Sequence, residues 1–284
     1  MNRLLYLLLL LPLSVHAQIY ERADSVTICR LLKKAPSDGG TLWFARQLLG
    51  RPYVSQTLEV TYSQSNGVNA GEERLVVNTR QLDCTTLVET VTALTLCVQQ
   101  NRKTWNDYLA ILKTLRYRQG KMENYTSRLH YFSDWIGDKV SMQLVKEIQE
   151  PCPPFSGVQT LKVNYMSQHP QSYQALKTHP EFVPVIRQQE ETLTGQSFRY
   201  IPKTAIKNTT LLRQAVHDGD IIAITCNKPG LDITHLGFAV WKKDGLHLLN
   251  ASQLHKKVVL EPMTLYNYMQ KHPTFTGIRI IRIK

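Results

Sequence analysis

Two residues far apart in the sequence, Cys84 and His235, are suited to nucleophilic catalysis. Cys84 follows Asp83 at the start of a predicted helix, and His235 enters a predicted strand. A thiol attacks a carbonyl carbon as its thiolate, and both a helix N-terminus and a neighbouring imidazolium favour that charge. Taken singly, such a cysteine is more often a small core residue and such a histidine is usually structural. The two together predict a cysteine hydrolase with a lowered thiol pKa.

The helix that carries Cys84 is predicted from its cap and its apolar spacing. Asp83 is a suitable N-cap residue, and apolar side chains recur at helical spacing behind it. These apolar residues are Leu87, Val91, Leu94 and Val98. The spacing places the thiol near the edge of the core, facing whatever lies beyond the helix N-terminus.

The elements before this helix are mainly helical. Helices are predicted over residues 19–34 and 41–49, the second after a turn at residues 36–40. An extended stretch through residue 60, a Gly/Asn-rich loop at 63–71 and a short strand at 75–77 then lead to Asp83.

The last quarter of the chain has the alternation of β-strands. Strands are predicted over residues 220–225, 235–242, 246–252, 258–260 and 276–283, with a helix from Pro262 to about residue 271. The fold class is therefore α+β, with the cysteine helix packed against the antiparallel sheet that bears His235. Residues 18–284 are predicted to form a single catalytic domain, and residues 104–200 a mostly helical elaboration of it.

A Cys/His hydrolase also needs a polar group that holds the imidazole in its useful tautomer. The strand predicted to pair with that of His235 offers His247 and Asn250. Their odd separation places them on opposite faces of the sheet, so only one of them shares the face of His235. Two leucines between them obscure the alternation, and the residues alone leave the choice open.

Composition and the N-terminus indicate an exported protein. Arg3, an apolar run over residues 4–13 and small residues up to Ala17 have the layout of a secretory signal, which makes residues 1–17 a predicted signal peptide. The run is too short for a comfortable membrane span, so we expect a periplasmic or secreted protein without stable membrane insertion. The net charge of +12 is either solubility charge or favours acidic partners. In an exported protein these partners are envelope polymers or a membrane surface rather than nucleic acid.

Other hydrolase classes lack their motifs. The sequence has no H-E-x-x-H, no G-x-S-x-G and no C-x-x-C pair. We therefore expect no metal ion and no other cofactor. Five cysteines form an odd set, and Cys84 and Cys97, on one helix, are too far apart for a disulfide. The oligomeric state cannot be read from the sequence.

A cluster of cationic and aromatic residues lies in the predicted helical elaboration. It consists of Arg128, His130, Tyr131 and Trp135. An arginine fork binds carboxylate and aromatic rings stack on sugars, so the cluster has the chemistry of a substrate-binding surface. An aromatic anchor that fixes the inserted helices explains it equally well. Asp232, just before the histidine strand, is a candidate for a substrate amine but more often such a residue stabilises a turn.

The order of these motifs resembles a known family. The motifs are Gly50-Arg51-Pro52-Tyr53, Asp83-Cys84, Thr234-His235-Leu236-Gly237-Phe238 and Asn250-Ala251-Ser252. Together they resemble the NlpC/P60 cell-wall hydrolases. Further segments, at residues 58–59, 75–78, 82–89, 127–132 and 219–224, resemble more closely the N-acetylmuramoyl-L-alanine amidase-like branch, formerly domain of unknown function 1460.

The resemblance implies a papain-like fold and cleavage of the amide between N-acetylmuramic acid and L-alanine in peptidoglycan fragments. It assigns Cys84 as nucleophile, His235 as base, Asn250 as third member and Tyr53 as a cleft or oxyanion residue. The chain has Asp-Cys-Thr-Thr where the broad family has Asp-Cys-Ser-Gly, and it lacks paired glycines after Pro-Tyr. These departures suit the amidase branch. The alternatives are a γ-D-glutamyl-diamino-acid endopeptidase and a non-catalytic peptidoglycan-binding protein.

Overall fold

The computed structural model describes residues 18–37, 40–62 and 72–284. The predicted signal peptide and the predicted loop at 63–71 therefore lie outside the described residues. The α-helices are α1 (Arg22–Lys34), α2 (Thr41–Gln47), α3 (Cys84–Gln99), α4 (Trp105–Arg116), α5 (Phe132–Ser141), α6 (Tyr165–Gln168), α7 (Gln174–Thr178), α8 (Phe182–Leu193), α9 (Thr210–Ala215) and α10 (Leu265–Gln270). The strands are β1 (Val145–Ile148), β2 (Gly157–Thr160), β3 (Ser197–Pro202), β4 (Ile221–Cys226), β5 (Ile233–Trp241), β6 (Leu246–Ser252), β7 (Lys257–Leu260) and β8 (Phe275–Ile283).

All these strands belong to one antiparallel sheet. The strand order is β2-β3-β8-β4-β5-β6-β7, and β1 also pairs with β8. The C-terminal meander from β4 to β7 agrees with the predicted strands to within a few residues at each end. The predicted α+β class, with helices followed by an antiparallel sheet, is thus confirmed.

The helix α3 is the central element of the larger hydrophobic core. It contacts α1, α2, α4 and the strands β5 and β6. Every residue from Thr86 to Val98 is buried, which is more than one amphipathic stripe would give. Other helices enclose α3 on several sides, and the sheet covers its remaining side. This packing holds Cys84, the first residue of α3, near β5.

A second apolar cluster covers the opposite face of the sheet. It includes Ile222, Ala239 and Leu248 from the sheet, and Leu265 and Met269 from α10. A third, smaller cluster joins α6, α7 and α8 to Tyr62 and Tyr131. The elaboration thus has an apolar centre of its own beside the sheet.

Three local predictions differ from the structure. Residues 104–200 are not mostly helical throughout, because β1, β2 and β3 lie among the helices and extend the sheet. These strands are short and partly exposed, so they lack the apolar runs that identified β4 to β6. The predicted strand at 75–77 is reduced to one bridge between Val76 and Ile19, and the predicted extended stretch ends in a 3-10 turn at Glu59–Thr61.

Candidate active site

Cys84 is the first residue of α3 and is fixed by a capping box. The Asp83 carboxylate accepts the backbone N–H of Thr86 at 2.8 Å, and the Thr86 hydroxyl accepts the backbone N–H of Asp83 at 2.9 Å. Such reciprocal bonds satisfy the otherwise unpaired donors of the first turn. The half-buried Cys84 thiol is therefore held at a helix N-terminus whose backbone is fixed by the capping box.

His235 lies in β5 at an irregularity of the sheet. Ile224 of β4 pairs with His235, but the next residue, Thr225, pairs with Ile233. Thr234 is thus the extra residue of a β-bulge. A bulge bends its strand and changes the direction of neighbouring side chains, and here it does so beside the histidine.

The structure brings Cys84 to the start of β5. α3, which begins at Cys84, packs against β5, and hydrogen bonding to the backbone of Leu236, the residue after His235, and to Thr85 acts to lower the pKa of the Cys84 thiol. The thiol and the histidine strand are therefore neighbours, as their residue types predicted.

Asn250 is the polar partner of His235. The Asn250 Oδ1 atom lies 3.0 Å from the imidazole Nε2, and Asn250 is completely buried. His247 points elsewhere: its two ring nitrogens meet the Asp244 carboxylate and the backbone carbonyl of Glu261. The choice that alternation left open is resolved geometrically in favour of Asn250, the residue that the family resemblance implied.

The protonation state of the pair differs from the expectation of a lowered thiol pKa. Burial, and after it the negative charge of Asp83, raise the pKa of the Cys84 thiol to about 12, although the hydrogen bonds from Leu236 and Thr85 act in the opposite direction. Burial lowers the pKa of His235, and the hydrogen bond that His235 donates to the Asn250 oxygen acts in the opposite direction. The thiol and the imidazole are therefore both neutral at neutral pH, because burial penalises both charged forms.

Tyr53 lies next to this pair. Its backbone forms a bridge with Leu82, two residues before Cys84, and its N–H donates to the carbonyl of Lys256 at 2.9 Å. Burial, followed by the charges of Cys84 and Asp83, raises the pKa of the Tyr53 phenol. The half-buried hydroxyl thus keeps its proton and is available as a donor near the sulfur.

Arg128 occupies the interior, which corrects its assignment to a carboxylate-binding surface. Its guanidinium donates to Glu73 at 2.8 Å and to Glu59 at 2.7 Å, and only 5% of the residue is exposed. A buried charge needs such partners. The fork that was predicted for a substrate carboxylate already holds two carboxylates of the protein.

The neighbours of Arg128 have structural contacts as well. The half-buried His130 places Nε2 2.9 Å from the carbonyl of Tyr125, and burial, with the charge of Arg128, lowers the pKa of His130 to about 3. The buried Tyr131 donates its hydroxyl to Glu190 at 2.6 Å. These contacts correspond to the anchor interpretation of the cluster rather than to a sugar-binding floor.

Trp135 and Asp232 are likewise inside the protein. Trp135 is 1% exposed and stacks on Phe132, with ring centroids 4.8 Å apart. Asp232 is buried and accepts the backbone N–H of Ser133 at 2.6 Å. The carboxylate thus joins the start of β5 to α5, in agreement with the structural role given to it as the commoner one.

A cleft beside His235 contains residues that the sequence reasoning did not select. Its volume is about 530 Å³. Lys228, Lys256, Tyr268 and His272 contribute to its walls together with His235. The charge of Cys84 contributes to raising the pKa of Tyr268 to about 12, after burial and Glu261, so this wall also faces the sulfur. In the sequence these residues belong to turns and to a short helix. The one signal of a binding site there is a lysine in each of two turns, Lys228 and Lys256.

The described residues contain no group of three or more His, Cys, Asp or Glu side chains placed to hold a metal ion. They also contain no helix long and apolar enough to cross a membrane. All five cysteines are free thiols, including Cys84 and Cys97, as their separation on one helix predicted for that pair.

The described residues thus form an α+β protein in which the helix that begins at Cys84 packs against the strand that carries His235. Comparison with protein families is more specific. The chain belongs to the AmiA-like, N-acetylmuramoyl-L-alanine amidase-like family, whose profile matches residues 43–278. A search of curated proteins finds no match.

Solved structures agree with the family. An N-acetylmuramoyl-L-alanine amidase from Bacteroides uniformis ATCC 8492 is 36% identical, with a TM-score of 0.78, over 87% of this chain and 99% of its own. A Bacteroides fragilis protein described as a candidate xylanase is 38% identical, with a TM-score of 0.76, over 85% and 100%. Protein LPG0564 from Legionella pneumophila str. Philadelphia 1, with the designation DUF1460, has the same fold, with 22% identity and a TM-score of 0.68 over 92% and 94%.

Proposed function

We propose that the protein is an exported cysteine amidase that hydrolyses the bond between N-acetylmuramic acid and L-alanine in peptidoglycan fragments. The observation that carries the proposal is the packing of α3, which begins at Cys84, against the strand of His235, whose imidazole is hydrogen-bonded to Asn250. Membership of the amidase-like family supplies the substrate class.

The proposed reaction starts from a neutral Cys84 thiol and a neutral His235 imidazole. As the Cys84 sulfur attacks the carbonyl carbon of the muramic acid lactyl group, His235 accepts the thiol proton. The developing imidazolium is stabilised by the Asn250 oxygen, and this oxygen keeps the other ring nitrogen toward Cys84. Ionisation during the attack avoids an isolated thiolate in a buried site.

The oxyanion of the tetrahedral intermediate needs donors. The backbone N–H of Cys84, at the first position of α3, has no carbonyl acceptor within its own helix. Together with the Tyr53 hydroxyl it supplies two donors beside the sulfur. The imidazolium then protonates the alanine nitrogen, the C–N bond breaks, and the muramoyl group remains on sulfur as a thioester. Water, deprotonated by His235, hydrolyses the thioester and restores the thiol.

The cleft favours amide hydrolysis over glycoside hydrolysis. Glycosidases in most families use two carboxyl groups on either side of the scissile bond. Among the described residues that line the cleft of His235 there is no aspartate or glutamate. The name of the Bacteroides fragilis relative therefore has no support from this site.

Inhibition separates an enzyme of this kind from a metalloenzyme and from a binding protein. Release of peptide from a muropeptide should be abolished by a thiol alkylating reagent and unaffected by a chelator. Cys29 and Cys152 are exposed thiols that would react as well, so the matched control is the Cys29→Ser/Cys152→Ser protein, which should remain active and remain sensitive to alkylation. Loss of activity with chelator, or resistance of the control to alkylation, would contradict a cysteine mechanism.

Export is part of the proposal and has its own test. The signal-like layout of residues 1–17 predicts that the mature chain begins at Gln18. N-terminal sequencing of the protein recovered from the periplasm or the medium of a bacterial host checks this. An intact Met1 in the cytoplasmic fraction would refute it.

A further inference from the structure

The cleft beside His235 carries charge of one sign. Among the described residues that line it, the formally charged side chains are Lys228 and Lys256, and no carboxylate accompanies them. The other titratable groups of the lining are His235, His272 and Tyr268. Burial lowers the pKa of both histidines and raises that of the tyrosine, so these three are neutral at pH 7. The cleft is therefore cationic because of two lysines.

Neither lysine is neutralised by the described part of the protein. Both side chains are exposed, and neither forms an ion pair with a described acidic residue. Other cations at or near the surface do form ion pairs: Arg74, Arg80, Arg102 and Arg118. Nearby carboxylates are engaged elsewhere. Asp232 binds Ser133, and the fully buried Glu261 binds His255 at 3.1 Å.

The two lysines stand on separate turns that the structure fixes. Lys228 lies between β4 and β5, where Asn227 donates its N–H to the carbonyl of Thr274 and Leu231 donates to that of Lys228. In the same turn Gly230 has a φ of +76°, and a Cβ there would meet the Asn164 side chain at 2.5 Å. This turn is thus docked against the segment before α6.

Lys256 lies between β6 and β7. Its φ is 56°, a left-handed conformation that is uncommon for residues other than glycine. Its carbonyl accepts the N–H of Tyr53 at 2.9 Å, and the adjacent His255 is tied to Glu261. A strained and tethered turn thus fixes the backbone of Lys256 next to Tyr53, in the wall of the cleft that also contains His235.

From this arrangement we infer that Lys228 and Lys256 form an anion subsite that binds carboxylates of the peptide part of the substrate. The inference rests on the proposed function, since it names the groups of the muropeptide that the cleft selects. An L-alanyl-D-glutamyl stem has carboxylates close to the scissile amide, and an ammonium group binds a carboxylate through a charge-assisted hydrogen bond. The protein should therefore prefer stems with free carboxylates over stems in which they are amidated.

The test compares two muropeptides that differ only in amidation of the stem carboxylates. For the acid form, Lys228→Gln and Lys256→Gln should each raise KM on the order of tenfold, the effect of one charge-assisted bond, with little change in kcat. Lys256→Arg should stay close to the unaltered protein. Raised salt should weaken binding of the acid form to the unaltered protein and have less effect on the double Gln variant.

The matched control is Lys243→Gln, which removes an exposed lysine from the turn between β5 and β6, outside the cleft lining. It should leave KM unchanged for both muropeptides. Three results would overturn the inference. They are a KM for the acid form that rises as much in Lys243→Gln as in the cleft variants, a KM that is unchanged in both cleft variants, and a KM that rises in the cleft variants equally for the acid and the amidated muropeptide.

A binding measurement separates this inference from the proposed function. Cys84→Ala protein, with and without the two Gln substitutions, is titrated calorimetrically with both muropeptides. Tighter binding of the acid form that is lost with the lysines supports the subsite even if the unaltered protein cleaves neither muropeptide, an outcome that would refute the amidase activity alone. Equal binding of acid and amidated forms would refute the subsite whether or not cleavage occurs.

Discussion

The role given to Asn250 leads to a quantitative prediction. Asn250→Ala removes the oxygen that lies 3.0 Å from Nε2 of His235. In the resting state this deletes a hydrogen bond between neutral groups. During the reaction it deletes a bond to a developing imidazolium, which is worth more, about 1.5–3 kcal/mol. Since each 1.4 kcal/mol is roughly tenfold in rate, kcat should fall about 10- to 100-fold.

The same substitution should move the pH profile. The hydrogen bond to the Asn250 oxygen raises the pKa of His235 against the lowering caused by burial. Without it the pKa falls further, so protonation of the imidazole, which stops the reaction, requires a more acidic solution. The acid limb of kcat/KM should shift to lower pH even though the plateau is lower. A shift toward higher pH would contradict the assigned contact.

The assay is the initial rate of peptide release from pH 4 to 9, with stability followed by urea unfolding. Loss of the buried amide, which also donates to the Leu248 carbonyl at 3.4 Å, should cost about 1–3 kcal/mol. His247→Ala is the control, because His247 is equally buried but bonded to Asp244 and Glu261. It should lose stability and keep its kcat. Impaired kcat in His247→Ala with a normal Asn250→Ala would refute the reasoning.

Three further substitutions test other parts of the site. Cys84→Ala should abolish turnover while the free energy of unfolding changes by only about 1–2 kcal/mol, and turnover by the folded variant would exclude Cys84 as nucleophile. Tyr53→Phe should lower kcat about 100-fold, the effect of one oxyanion donor, with KM little changed; an unaltered kcat would remove Tyr53 from the mechanism. Arg128→Met should leave the buried Glu73 carboxylate without its cation, with the hydroxyl of Tyr117 still donating to it, and cost about 3–5 kcal/mol in urea unfolding, whereas a stable variant with raised KM would return Arg128 to substrate binding.

Much of the site could be predicted because its chemistry depends on rare residue types at element boundaries. A cysteine behind an N-cap aspartate marks a helix start, and the alternation of β4 to β6 marks the strands. The sequence alone does not identify Asn250 as the partner of His235, since the register of the sheet decides which of two polar residues faces His235. The pairing of Phe238 with Leu249 fixes that register, and two adjacent leucines hide it in the sequence.

The remaining features depend on contacts between distant segments. Arg128 resembles a ligand fork until Glu73, 55 residues away, is placed against it. The pKa of Cys84 follows from burial as well as from its helix position, and burial is a property of the assembled core. Strands β1 to β3 were missed because short strands with exposed faces carry little apolar periodicity, and they form only where β8 and β3 offer an edge.

The most direct test of the central claim is mass spectrometry of the products from a defined muropeptide that carries N-acetylmuramic acid on its peptide. The account predicts free N-acetylmuramic acid and a peptide with a new alanine amine at its N-terminus, and neither product with Cys84→Ala. A product that still holds muramic acid joined to L-alanine and D-glutamate would show endopeptidase cleavage and contradict the amidase assignment.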